Sequence, residues 1–165
     1  VTEVRAAVEK DLPRLTEIYN HYVVHTHVTF DVEPFTVEDR CDWFRHYAPH
    51  GRHRLLVGVV DGVVAGYATS SPYRPKPAYL TSVETSVYVA PELVGRGLGT
   101  LLYTELLALL AGEDVHRALA GIALPNDASI ALHQRMGFVR VARFSEQGRK
   151  FDRYWDVDWF ERPVP

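Results

Sequence analysis

Gly95, Gly97 and Gly99 are the residues of this chain whose spacing most directly suggests chemistry. They lie between a β-branched run ending at Val89 and a long apolar segment beginning at Thr100. A strand that passes through such a turn into a helix leaves the first helical N–H groups free, with the positive dipole end outward. Glycine lets a ligand approach the backbone closely there, so the segment reads as a phosphate cradle, with the Arg96 cation beside it. The spacing is not the dinucleotide G-x-G-x-x-G, and the Gly-Lys-Ser/Thr of a P-loop is absent. A tight turn with no ligand is the plain alternative.

Other reactive residue types are scattered. Arg74 and Lys76 stand among Pro72, Pro75 and Pro77, a stiff basic loop that is either a solvated turn or a reader of anions. The 8 histidines include His25, His27, His46, His50 and His53 in neighbouring segments, but no H-E-x-x-H pattern occurs, and no metal is expected. Cys41 is the single cysteine, which excludes an internal disulfide and every multi-cysteine metal site.

Those residues need elements to position them. Val1–Val8 reads as an opening strand, and Asp11 opens a helix with an apolar stripe at Leu12, Leu15, Ile18, Tyr19 and Tyr22. A second helix is expected from Thr36, with Trp43, Phe44 and Tyr47 inward, stopped by Pro49 and Gly51. Arg54–Val60 and Val63–Ser71 flank Asp61-Gly62, a hairpin signal. Thr81–Val89 is a strand, Thr100–Ala111 an apolar helix, Ala118–Leu124 a buried strand and Asp127–Met136 a helix ended by Gly137. Phe138–Phe144 and Phe151–Trp159 complete an antiparallel pair. The order βααβββαβαββ predicts an α/β fold: one domain over residues 1–165, with a mixed, mostly antiparallel twisted sheet and helices on both faces.

The stretch Val94-Gly-Arg-Gly-Leu-Gly99 resembles the acetyl-CoA motif of the GNAT acetyltransferases, Q/R-x-x-G-x-G/A, with Val94 at the usual Gln/Arg position. A second motif of that family matches at Leu124-Pro-Asn-Asp-Ala-Ser-Ile-Ala-Leu-His-Gln-Arg-Met-Gly-Phe138, where His133 replaces the common Tyr. That replacement, with Val83-Glu-Thr-Ser-Val-Tyr-Val89, Asn20-His-Tyr22, Pro72-Tyr-Arg-Pro75 and Gly148-Arg-Lys-Phe-Asp-Arg153, is similar to the branch acting on phosphinothricin and methionine sulfoximine.

The resemblance implies acetyl-CoA as cosubstrate, bound by the backbone of Val87, Tyr88 and Val89, by Gly95, Arg96, Gly97, Leu98, Gly99 and Thr100, and by Asn126. Asn126 is alternatively only a helix cap. It implies Glu84 as general base, and His133 as donor to the departing sulfur or as a cofactor contact. Arg74, Pro75, Lys76, Glu84, Thr85 and Ser86 would surround a small amino-acid acceptor, with Lys150 and Arg153 in a nearby loop. The branch resemblance implies a homodimer, and a cytoplasmic location is the default expectation for a sequence in which no charged leader with an apolar stretch is seen.

Composition narrows the rest. The chain has 47% apolar and 24% charged residues, ordinary values for a folded domain, and 18 Lys and Arg against 21 Asp and Glu give a net charge of −3. That balance argues against nucleic acid or an anionic membrane as partner, and no apolar run reaches membrane-spanning length. Two other readings remain at this level: a different acceptor (a polyamine, an aminoglycoside or a protein N-terminus), and a non-catalytic CoA sensor. Glu84 speaks against the sensor, which needs no base.

Overall fold

The computed structural model describes residues 2–165. Its sheet has seven strands in the order β1-β2-β3-β4-β5-β7-β6. They are β1 (Thr2–Ala6), β2 (Leu55–Val60), β3 (Val63–Pro72), β4 (Ser82–Val89), β5 (Arg117–Ala123), β6 (Val139–Lys150) and β7 (Arg153–Pro163). The helices are α1 (Leu12–His25), α2 (Cys41–Arg45), α3 (Leu98–Leu110) and α4 (Asp127–Arg135). Only the β4–β5 pair is parallel. The element order is the expected one.

Local chemistry explains the elements. Asp61 and Gly62 take φ values of 50° and 82°, the left-handed pair that turns β2 into β3 with the twist of the strands. Asp11, buried at the start of α1, accepts a fork from Arg5 at 2.7 and 2.9 Å and the Val8 N–H at 2.9 Å, which ties the helix to β1. Gly97, at φ 83°, is the residue from which α3 departs, so the helix begins at Leu98, two residues earlier than Thr100.

Three expectations need correction. The opening strand covers Thr2–Ala6 only, and Val1 lies outside the described residues. The second helix begins at Cys41 rather than Thr36, because Thr36 and Asp39 exchange bonds of 2.8 and 3.1 Å that close a turn first. Trp43, Phe44 and Tyr47 still pack inward against the core. The last two strands extend to Lys150 and from Arg153 to Pro163, so the segment expected as a loop around Gly148 is strand.

The two sheet faces carry different cores. Against α3 and α4 lie Leu56, Ala68, Val83, Leu102, Leu106, Ala118 and Phe160. Each fully buried leucine there contributes roughly 1.5–3 kcal/mol. Against α1 and α2 lie Leu15, Ile18, Val57 and Tyr67, with Tyr19, Tyr22, Trp43, Tyr47 and Tyr88 packed around them. At the far end, buried Asp158 holds Arg143 at 2.7 and 2.9 Å, and that bond keeps its carboxyl below the usual carboxylate range.

Candidate active site

The parallel ladder is short. It runs from Ser82↔Arg117 to Glu84↔Leu119 and then stops, so β4 and β5 diverge. The wedge between them opens into a cavity of about 530 Å³, lined by residues 85–89 of β4, 120–123 of β5, the start of α3 and one side of α4. Twelve expected site residues meet there: Thr85, Ser86, Val87, Tyr88, Val89, Gly95, Gly97, Leu98, Gly99, Thr100, Asn126 and His133.

The ladder's alternation shows what the wedge offers. Ala90 N–H donates to Ala65 O at 2.7 Å, and Tyr67↔Tyr88 and Thr69↔Ser86 lie in the same two-residue phase. Antiparallel pairing then turns the backbone groups of Val87 and Val89 away from β3, toward the wedge. The Val89 carbonyl is taken by the Tyr22 hydroxyl. Tyr88, expected to offer backbone alongside them, is instead in the phase that faces β3.

The glycines act in two different ways. Gly95 and Gly97, at φ 82° and 83°, have open space where a Cβ would stand, so conformation demands glycine there. At Gly99 an added Cβ would lie 3.2 Å from Leu132 Cδ2, so packing is the constraint. Arg96 is exposed and lines a neighbouring cavity of about 200 Å³ with Thr2 and Leu101, not the main one. The cation on the main cavity is Arg135, which donates to Thr100 Oγ1 at 3.3 Å. Sequence reasoning missed Arg135; its place in the second motif, nine residues after Asn126, was the available signal.

Asn126 is a cap and also lines the cavity: its Oδ1 accepts the Ser129 N–H at 3.2 Å. Glu84 is half-buried beside the wedge, paired with Ser71 on one side and Leu119 on the other. Burial raises its carboxyl above the ordinary range, and the Arg74 charge opposes that shift. Arg74 and Lys76 are exposed, with the Arg74 guanidinium 4.4 Å from the Tyr73 ring and bonded to Tyr73 O at 3.1 Å. Pro75 holds the turn between them. Strand alternation puts Ser86 on the Glu84 face and Thr85 on the opposite one. Thr85 is buried, its hydroxyl donating to Leu119 O at 3.2 Å, so it lines the cavity from the side away from Glu84.

Behind Thr85 stand Tyr103 and His133. His133 is 3% exposed, its Nδ1 lies 2.7 Å from Ser129 O, and its Nε2 lies 3.0 Å from the Tyr103 hydroxyl. A carbonyl only accepts, so Nδ1 carries the proton and Nε2 accepts from Tyr103. Burial lowers the His133 pKa, which keeps the ring neutral. Direct donation from His133 to a sulfur is thus corrected: Nε2 has no proton to give. Tyr103, whose phenol burial raises, was not anticipated.

Lys150 and Arg153 are also placed differently from the expectation. Lys150 is buried in β6 and donates to Thr29 O at 2.8 Å. Arg153 lies 4.1 Å from the Trp155 ring, whose opposite contact is a parallel stack with His27. Both hold the segment after α1 against the β6–β7 arm.

A sheet that splits beside a glycine turn and a helix N-terminus makes a wedge able to take an extended, phosphate-bearing ligand. Residues 14–138 match the acetyltransferase (GNAT) family, and the chain belongs to it. It is 57% identical over 164 residues to a phosphinothricin N-acetyltransferase of Streptomyces coelicolor, covering 98% of this chain and 96% of that one. It is 35% identical to an L-methionine sulfoximine/L-methionine sulfone acetyltransferase of Salmonella typhimurium, over 96% of this chain and 92% of the other. A phosphinothricin acetyltransferase of Sinorhizobium meliloti in complex with AcCoA superposes with a TM-score of 0.94 at 31% identity, over 99% of this chain and 88% of that one. The protein is an N-acetyltransferase, and enzymes of its family use acetyl-CoA. No described helix is long and apolar enough to cross a membrane.

Proposed function

We propose that the chain transfers acetyl from acetyl-CoA to the α-amine of a small amino acid of the phosphinothricin, methionine sulfoximine or methionine sulfone type, with Glu84 as general base. The observation that carries this reading is the half-buried Glu84 carboxyl at the fork of β4 and β5, with its pKa raised by burial. Two features support acetyl-CoA in the wedge: the positive-φ glycines leave its floor bare, and the Val87 backbone and the Val89 N–H, turned from β3, run along its wall. The thioester supplies the activated acyl group. The acceptor arrives as an ammonium ion, and Glu84 takes its proton, directly or through water, so that the lone pair can attack. The Val87 N–H, in the backbone phase turned from β3, is the donor this reading gives to the developing oxyanion. Gly95, Gly97, Leu98, Gly99 and Thr100, with Asn126 and Arg135, hold the pyrophosphate end, and exposed Arg96 adds charge nearby.

Departing sulfur needs little help, because a thiolate is a tolerable leaving group. The single Tyr103 hydroxyl proton is spent on His133 Nε2, so this pair shapes the wall of the wedge and the sulfur leaves without a proton from it. Arg74 and Lys76 supply cations for the acceptor's anionic groups, and Ser86 shares their side of the sheet. A homodimer is part of the proposal, resting on the family resemblance. The test is an amine panel read by thiol release. Phosphinothricin and methionine sulfone should turn over, and spermidine and aminoglycosides should not. Spermidine outpacing both amino acids would overturn the acceptor class and leave the acetyltransferase assignment standing.

A further inference from the structure

On the Glu84 side of β5, one feature serves no role described so far. Gly121 pairs with Trp159 of β7, and an added Cβ at Gly121 would stand 3.1 Å from the indole, so the ring lies directly on the strand. Leu119, the register partner of Glu84, is two residues away on the same side. Tyr73, next to Arg74, closes the far edge with its ring edge-on to Trp159 at 6.3 Å. The result is a half-exposed aromatic shelf beside the carboxylate, while Gly121 also lines the main cavity.

A second observation concerns β6. Phe144 and Gly148 pair with Val157 and Trp155, so four steps along β6 match two along β7, and Glu146 sits at φ 53°. Such a bulge re-aims side chains. Here it brings Gln147 Oε1 to 3.3 Å from Trp159 Nε1. Indole N–H is donor only, so it fixes the amide oxygen inward and leaves the Gln147 NH₂ free to donate.

We infer that the Trp159 ring on Gly121 and the outward amide of Gln147 form the subsite for the acceptor's side chain. The apolar stem lies on the indole, and a terminal sulfonyl, sulfoximine or phosphinate oxygen accepts from Gln147. This rests on the acceptor class proposed above and explains how a chain of that length is chosen over a shorter one.

The experiment is a KM and kcat comparison on methionine sulfone, phosphinothricin and methionine. Trp159→Ala raises the acceptor KM about tenfold, the weight of one apolar side chain's burial, and leaves the acetyl-CoA KM unchanged. Trp159→Phe restores it to within about threefold for methionine, which needs only the ring, and less fully for methionine sulfone and phosphinothricin, because the Gln147 amide loses the indole N–H that fixes it. Gln147→Leu, on an exposed bulge where folding is not at stake, raises KM for the two oxygen-bearing acceptors by about tenfold and leaves methionine alone. Wild-type turnover with unaltered acceptor KM in Trp159→Ala and Gln147→Leu overturns the subsite alone. Acceptor and acetyl-CoA KM rising together in both variants also overturns it, since that marks a merely structural role. A wild-type enzyme inactive on all three amino acids overturns the acceptor class and the subsite with it.

Discussion

The two faces of the sheet recognise in opposite ways. On the α3 side, what the wedge offers a ligand is largely main chain: the Val87 and Val89 phase, the glycine turn and a helix N-terminus. On the α1 face the surroundings are aromatic and charged, with Tyr19, Tyr67, Tyr88 and Trp43 around buried Arg40, whose guanidinium lies 3.7 Å from the Trp43 ring. Burial there pushes the Tyr88 phenol up to about 12. Main-chain recognition tolerates side-chain change and fails when backbone conformation is lost. Side-chain recognition fails one residue at a time.

The sharpest break is Glu84→Gln, expected to lower turnover by roughly 10²–10⁴-fold while acetyl-CoA affinity in calorimetry stays put. A general base works only when ionised, so the proposed role of Glu84 puts the acidic limb of wild-type kcat/KM above the ordinary glutamate range. A carboxyl whose folded pKa is raised favours folding at low pH and loses that contribution as pH rises through the raised value. Glu84→Gln should therefore raise Tm at neutral pH while it removes activity, and an unchanged rate would remove Glu84 from the chemistry.

Gly97→Val tests the main-chain face. A β-branched residue in the left-handed region costs about 1–3 kcal/mol, so acetyl-CoA should bind on the order of tenfold or more weakly, measured by calorimetry. Arg74→Ala tests the other face. The acceptor KM should rise about fivefold to tenfold, a charged bond discounted for exposure, with acetyl-CoA KM unmoved. Because the Arg74 charge holds the Glu84 pKa down, the acidic limb should also move upward. Smallest is Val94→Gln: an exposed side chain added beside a backbone cradle should change acetyl-CoA affinity by less than about 1 kcal/mol.

Much of the main-chain face was legible in the sequence. Glycines one residue apart after a β-branched run announce a turn into a helix, and Asp61-Gly62 announces a hairpin, because each depends on local conformation alone. Residues defined by distant partners were not legible. Tyr103 looked like one apolar position among many on α3, and only the fold brings it to His133, 30 positions away. Trp159 and Gly121 meet through a β5–β7 pairing that no local signal specifies, and Gln147 is aimed by a bulge hidden inside an apparent loop. Thr36 misled for the reverse reason: its capping chemistry is real, but the bonds close a turn before the helix begins.

The brevity of the parallel ladder has a mechanical consequence. Strands β1 to β4 and strands β5 to β7 are sewn together across the sheet by a short seam, the Ser82–Glu84 stretch facing Arg117–Leu119 with the bonds of Thr81 and Thr85 at its two ends. Beyond that seam, the backbone groups of β4 and β5 that face the wedge have no strand to pair with, while their other edges stay bonded to β3 and β7. A ligand arm lying in the wedge becomes the missing stitch. Hydrogen exchange at Val87 should then slow when the arm is in place, and the two halves should melt as one unit rather than breathe apart along the seam.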